Sequence, residues 1–136
     1  MARHSTAVKE RVHDLDRVEV LARALAAAGA LVALSDGRVE TVERDAWVNF
    51  VDCQRILPTM SRYDIGQIFD RYVRQLKRRG DVATMVDALH PLAGKSSASL
   101  VLRVAERVAA ADRGIHSAEV RALSLISLIM TLPTKR

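Results

Sequence analysis

A short acidic motif occurs twice in this chain and constrains its fold more than any other feature. The first copy runs from Asp36 to Glu43 and the second from Asp112 to Glu119. Each reads Asp, two residues that include a Gly, a β-branched apolar residue, three further residues and Glu. Each copy follows an Ala/Leu/Val-rich run and opens another helical run. We therefore predict two helix–acidic loop–helix units related by an internal repeat.

The spacing of apolar residues predicts an all-α protein. From about Asp14 to Leu34, apolar side chains recur every three or four residues, which places one stripe on the core side of a helix. Five further helices are predicted over approximately 41–53, 61–79, 81–89, 95–111 and 117–130. The sequence contains no alternating strand pattern. We expect a compact bundle of about six or seven helices with a pseudo-twofold internal repeat.

Several local patterns carry more specific expectations. Ser61 is a candidate N-cap for the third helix, with an acidic residue three positions later. Gly29 marks either a close helix crossing or a break in the first helix. The stripes direct Val18 and Val42 toward the core. The last helix, 117–130, is apolar nearly all round, which predicts burial on several sides, at the centre of the bundle or under a partner subunit.

The length and composition indicate one cytoplasmic domain. A chain of 136 residues fits a single domain, with 1–12 as a flexible, polar and basic tail and 13–136 as the helical unit. A single cysteine, Cys53, excludes an intramolecular disulfide and favours a reducing compartment. The longest apolar stretch, 24–34, is about half of the roughly 20 residues that span a bilayer, so we expect no membrane insertion.

The acidic loops have a purely structural interpretation. Asp and Gly favour the turn, and Val39 or its counterpart packs inward. Thr41 or Ser117 then caps the next helix, while Glu43 or Glu119 places a negative charge in its first turn. On this interpretation the loops need no ligand.

The alternative interpretation is cation binding. Asp, Gly, a β-branched residue and a final Glu also form the second half of an EF-hand loop. A true EF-hand is excluded, because Val32 and Leu34 stand where the first half supplies oxygen ligands. A partly hydrated site for Ca²⁺ or Mg²⁺ remains, more so if the fold brings both loops together. Its candidate ligands are Asp36, Glu43, Asp112 and Glu119, with possible contributions from Glu40 and His116.

The paired loops with their helical flanks resemble the TerB-like family of tellurite-resistance proteins, over about 18–132. The resemblance implies a compact helical domain with pseudo-twofold symmetry and a role in tellurite or general stress responses. It also implies divalent-cation binding by Asp36, Glu43, Asp112 and Glu119. The second copy departs from the pattern, because Arg113 occupies the Gly position, and the chain carries a net charge of +5.

Other signals are weaker. The segment from Gly94 to Ser96 resembles the tail of a phosphate-binding loop, but the earlier Gly and the preceding strand are missing. The basic run from Arg71 to Arg79 could contact phosphates, but no helix-turn-helix pattern accompanies it. No Ser/His/Asp or Cys/His set can be assembled, so we expect no enzyme activity.

The sequence leaves two hypotheses about the function. The first is a non-enzymatic, cation-binding stress-response domain. The second is a protein-interaction or scaffold domain, with a homodimer as one form of it, whose acidic loops only cap helices. A nucleic-acid-associated regulator that uses the face from Arg71 to Arg79 is a weaker third reading, and we do not expect a nucleic-acid partner.

Overall fold

Six α-helices and one 3₁₀ turn make up the described part of the chain in a computed structural model. The backbone is described for residues 2–79, 82–111 and 117–131, and the side chains for 17–78, 83–111 and 117–131. The α-helices are α1 (Ala2–Ala33), α2 (Thr41–Cys53), α3 (Arg62–Arg79), α4 (Val82–Leu89), α5 (Ala98–Ala110) and α6 (Ser117–Met130). The 3₁₀ turn (His90–Leu92) follows α4. These residues contain no strand, which confirms the all-α prediction.

Helix α1 lies at the centre of the bundle, and every other helix contacts it. All seven residues from Ala24 to Ala30 are buried, and five of them are alanines. Small side chains let neighbouring helices approach the α1 backbone from several sides at once. Helix α1, which contains this continuous apolar run, is therefore the core helix of the fold.

The prediction that α6 is buried at the centre of the bundle is wrong, and the alternative that a partner subunit covers it stays a prediction. Helix α6 buries one face, while Val120 and Leu128 are 49% and 60% exposed. Its buried face consists of Glu119, Ala122, Ile126, Ile129 and Met130. Because α1 already fills the centre, α6 lies at the periphery, and part of its apolar surface faces outward.

Two further side chains lie outside the core where the stripes predicted burial. Val18 is 43% exposed and Val42 is 49% exposed. Val18 precedes the stretch of α1 that the other helices cover, and Val42 lies in the first turn of α2 on the side opposite its buried residues. The helix itself begins at Ala2, ahead of the start near Asp14 that the spacing predicts.

The third helix begins as predicted. The Ser61 hydroxyl oxygen accepts a hydrogen bond from the backbone N–H of Asp64 at 3.1 Å. Such a bond satisfies one of the N–H groups that the first helical turn leaves without a partner. A local cap thus sets the start of α3.

Gly29 marks a close crossing, and α1 continues through it without a break. The Trp47 side chain of α2 is fully buried against it, and its indole N–H donates a 2.8 Å hydrogen bond to the Leu25 carbonyl oxygen. The Trp47 ring lies 5.2 Å from the Phe69 ring of α3. This cluster ties the first three helices together.

The ends of the helices place the connecting loops. The N–H of Gly94 donates to the Met130 carbonyl oxygen at 3.0 Å, so the end of α6 lies beside the start of α5. At the other end of α5, Ala110 and Ala111 line a groove with Ala46 and Asn49 of α2. The end of α5 therefore lies beside α2, the helix that the first loop opens. The internal repeat stays a prediction, because residues 112–116 lie outside the described part.

Candidate functional site

The first acidic loop reverses the chain immediately after α1. The N–H of Gly37 donates to the Leu34 carbonyl oxygen at 2.9 Å, and Gly37 has a φ of +96°, a conformation that favours glycine. The carboxylate of Asp36 accepts a 3.3 Å hydrogen bond from the backbone N–H of Arg38. Asp36 is exposed, so the remaining acceptor capacity of its carboxylate faces solvent.

Glu43 lies inside the fold, with only 1% of its surface exposed. Its Oε1 accepts a 2.8 Å hydrogen bond from the backbone N–H of Glu40, as part of a capping box. Glu40 is therefore the N-cap of α2, and the prediction that Thr41 caps this helix is wrong. The extended backbone at Glu40 places Thr41 as the first helical residue.

Glu119 occupies the matching position in the second copy. It lies in the first turn of α6 and is completely buried, and its side chain interacts within the fold. Burying a carboxylate is costly unless polar groups or a positive charge compensate it. Asp112, the other predicted ligand of this loop, and His116 lie outside the described residues.

The first loop does not assemble a cation site from its own side chains. Asp36 is exposed, Glu43 is buried, and Glu40 forms a 3.3 Å ion pair with Arg38. Among the described residues, no group of three or more His, Cys, Asp or Glu side chains could hold a metal ion. A site with enough oxygen ligands would therefore need residues of the second loop.

A salt bridge fixes α2 against α3. The guanidinium of Arg44 donates to both carboxylate oxygens of Asp70, at 2.8 and 3.0 Å. The hydrogen bond to Asp70 raises the pKa of Arg44. Gly66, one turn before Asp70, leaves room for the guanidinium, because a side chain there would overlap it. This pair holds the orientation of the helix that carries Glu43.

A cleft between α1, α3 and α4 was not predicted from the sequence. It encloses about 650 Å³ and is lined by Glu19, Arg23, Arg71, Tyr72 and Asp87, among others. The Tyr72 side chain in this cleft is half-buried. Burial raises its pKa, and the positive charges of Arg23 and Arg71 partly oppose that shift. No sequence signal points to this cleft, because its walls come from segments far apart in the chain.

In the part of the chain that the structure describes, the basic run and the start of α5 show no built site. In the basic run, Arg71, Arg74, Lys77 and Arg78 are all exposed. Ser97 occupies the N-cap position of α5, but its side chain makes no capping hydrogen bond. Among the helices described, none combines the length and the apolar character needed to cross a bilayer.

The fold and the loops define a class: a small all-helical domain with an acidic loop that leads into a helix with a buried first-turn glutamate. The family model of the tellurite resistance protein TerB matches residues 22–136. The match covers most of the chain, so the protein belongs to the TerB family, as the sequence motifs predicted. Comparison with curated proteins gives no match, and neither does comparison with solved structures.

Proposed function

We propose that this protein is a non-enzymatic, cytoplasmic stress-response domain of the TerB type that binds a divalent cation between its two acidic loops. Asp36 and Asp112 contact the ion, and Glu43 and Glu119 hold the loops in position. Backbone carbonyls and water complete the six to eight oxygen ligands that Ca²⁺ takes, or the six of Mg²⁺. The stress response that we propose for this protein includes tellurite resistance, and the name of the family is the basis for that part of the proposal.

The contrast between Asp36 and Glu43 is the observation that carries this proposal. The Asp36 carboxylate is exposed at the loop surface, whereas Glu43 is buried and holds the Glu40 N–H. One carboxylate is thus free to reach an ion while the other fixes the backbone around it.

A thermal melt of chelator-treated protein with Ca²⁺, Mg²⁺, Mn²⁺ or Zn²⁺ tests the proposal. Binding to the native state stabilises it by about 2.7 kcal/mol at a hundredfold excess over Kd. For a domain of this size we expect the melting temperature to rise by several degrees. The shift should disappear in the double variant Asp36→Asn/Asp112→Asn.

A matched variant separates a site from a general charge effect. Asp64→Asn/Glu106→Gln removes the same amount of negative charge from two exposed positions outside the loops. It should keep the full cation-induced shift. If none of the four ions raises the melting temperature, or if both double variants lose the rise equally, the acidic loops only cap helices and bind no cation.

A protein-interaction domain is the second candidate, and the exposed face of α6 favours it. Val120 and Leu128 lie eight residues apart on that helix, and both are about half exposed. Side chains at this spacing share one face of a helix. Light scattering should give a doubled mass if this face pairs with a second copy, and Leu128→Glu should restore the monomer. A monomeric mass would exclude a homodimer, and an interaction domain would then need a different protein as its partner.

A further inference from the structure

The cleft between α1, α3 and α4 has the dimensions of a small-molecule site. Its volume of about 650 Å³ lies within the range of roughly 300–1,000 Å³ that is usual for ligand pockets. Its apolar lining comes from four parts of the chain: Val20, Ala22, Met60, Ile68, Ala88 and Pro91. An apolar group of a ligand would be shielded from water on these side chains.

Arg71 and Tyr72 supply hydrogen-bond donors to the same cleft. Within the described part of the chain, neither side chain forms an ion pair or a hydrogen bond. The hydroxyl of Tyr72 can donate at neutral pH, because the ordinary tyrosine pKa is 10.0 and burial raises it. Both side chains line the same cleft from α3, and the positive charge of Arg71 lowers the pKa of the Tyr72 hydroxyl against the effect of burial.

The acidic residues of the cleft limit the charge of a ligand. Glu19 lies 2.7 Å from Arg23 and neutralises it. Asp87 lines the cleft from α4. Arg71 is therefore the lining cation without a carboxylate partner among the described residues, and Asp87 adds a negative charge to the same lining. This balance favours a ligand with a single negative charge over a dianion.

We propose that the cleft binds an organic monocarboxylate with an apolar body. The carboxylate accepts hydrogen bonds from the guanidinium of Arg71 and the hydroxyl of Tyr72, and the apolar body packs on Met60 and Ile68. A free carboxylic acid and the C-terminal carboxylate of a peptide share this chemistry. The cleft involves none of the acidic-loop residues, so the inference does not depend on cation binding.

Titration of the isotope-labelled protein, followed by NMR, tests this site with defined probes. The probes are hexanoate, its neutral analogue hexanamide, the dianion succinate, and an acetylated dipeptide that ends in leucine. We expect saturable shifts of the amides in 68–72 and 84–88 with hexanoate or with the dipeptide, and much weaker effects from hexanamide and succinate. Binding of hexanoate identifies a free acid as the ligand class, and binding of the dipeptide alone identifies a peptide terminus.

Substitutions on α3 decide whether the assigned donors hold the carboxylate. Loss of a charge-assisted hydrogen bond should raise Kd about tenfold or more in Arg71→Gln, with a smaller rise in Tyr72→Phe. Arg74→Gln removes the same charge from an exposed position of the same helix outside the cleft lining, and it should leave Kd unchanged.

Three results would overturn the inference: no saturable shift with either carboxylate, equal binding of hexanamide, or equal weakening by Arg71→Gln and Arg74→Gln. Arg71 is exposed, so its substitution should leave the fold intact even if Tyr72→Phe does not. The helical circular dichroism signal of each variant checks this.

Discussion

Trp47 lies directly on the backbone of Gly29, at the point where α2 crosses α1. A methyl group on Gly29 would lie 2.7 Å from Nε1 of Trp47 and closer still to Cδ1. The indole is held there by its hydrogen bond to the Leu25 carbonyl oxygen. A glycine that weakens an isolated helix is thus the residue that allows three helices to meet.

Gly29→Ala should destabilise the protein, although alanine favours helices. The substitution gains about 1 kcal/mol of helix propensity, but overpacking a rigid buried ring costs roughly 1–3 kcal/mol. We expect a net loss of up to about 2 kcal/mol in the free energy of unfolding by urea. In a Trp47→Phe background the loss should shrink, because the smaller ring leaves room. A more stable Gly29→Ala protein would show that the crossing is looser than described.

Glu43→Ala should cost more stability than Glu43→Gln. Alanine leaves the N–H of Glu40 without its acceptor in a part-buried position, at a cost of about 1–3 kcal/mol. Glutamine keeps an acceptor oxygen and loses mainly the favourable charge at the helix start, worth about 0.3–1 kcal/mol. Urea unfolding measures the loss of stability in Glu43→Ala and in Glu43→Gln. Glu40→Gln is the control, because Glu40 is the more exposed partner of the capping box. Equal losses for both substitutions would contradict a capping role for this side chain.

The Arg44–Asp70 pair should show a larger coupling energy than the Arg23–Glu19 pair. Its two side chains are 35% and 30% exposed, against 58% and 61% for the other pair, and its contact is bidentate. We expect about 0.5–1 kcal/mol from a double-mutant cycle at Arg44–Asp70, and at most about 0.5 kcal/mol at Arg23–Glu19.

Gly66→Ala provides a second check on that salt bridge. A side chain at position 66 would meet the guanidinium of Arg44, so the arginine would have to move. The coupling energy between Arg44 and Asp70 should then fall toward that of an exposed pair. An unchanged coupling would mean that the guanidinium has an alternative route to Asp70.

Tyr72 should titrate above the ordinary tyrosine pKa of 10.0, because burial disfavours its phenolate. Absorbance titration of Tyr63→Phe reports Tyr72 alone, and Tyr72→Phe reports Tyr63, which is 72% exposed. The raised folded-state pKa of Tyr72 makes the free energy of unfolding depend on pH. The contribution of Tyr72 to that free energy is present below the pKa of the unfolded state and is lost as the pH rises through the pKa of the folded state. Arg71→Gln should raise the pKa of Tyr72 further, since it removes a positive charge that favours the phenolate. A lower pKa in that variant would contradict the placement of Arg71.

The starts of α2 and α3 were predictable because the signals that set them are local. Ser61 caps α3 as its position indicates, and α2 covers Thr41–Cys53 as the spacing indicates. The identity of the cap of α2 was not predictable in this way. Glu40 is not among the residues preferred at an N-cap, and the reciprocal hydrogen bonds of its capping box with Glu43 hold it there.

Burial was predicted less well, since a stripe shows which residues could be covered and not which are covered. The apolar sequence of α6 and that of α1 look equally suited to the centre. Only α1 has an alanine-rich run whose small side chains admit neighbours on all sides, and α6 retains an exposed face.

By itself, the sequence determined that the chain is all-α, where most of its helices begin and end, and that it belongs to the TerB family. These properties follow from periodicity, caps and motifs within a few residues. Only the tertiary structure decided that Glu43 and Glu119 are buried, that Gly29 receives Trp47, and that Arg71 and Tyr72 line a cleft with Asp87. Such relationships depend on which helix faces meet across long sequence separations, and no short-range pattern encodes them.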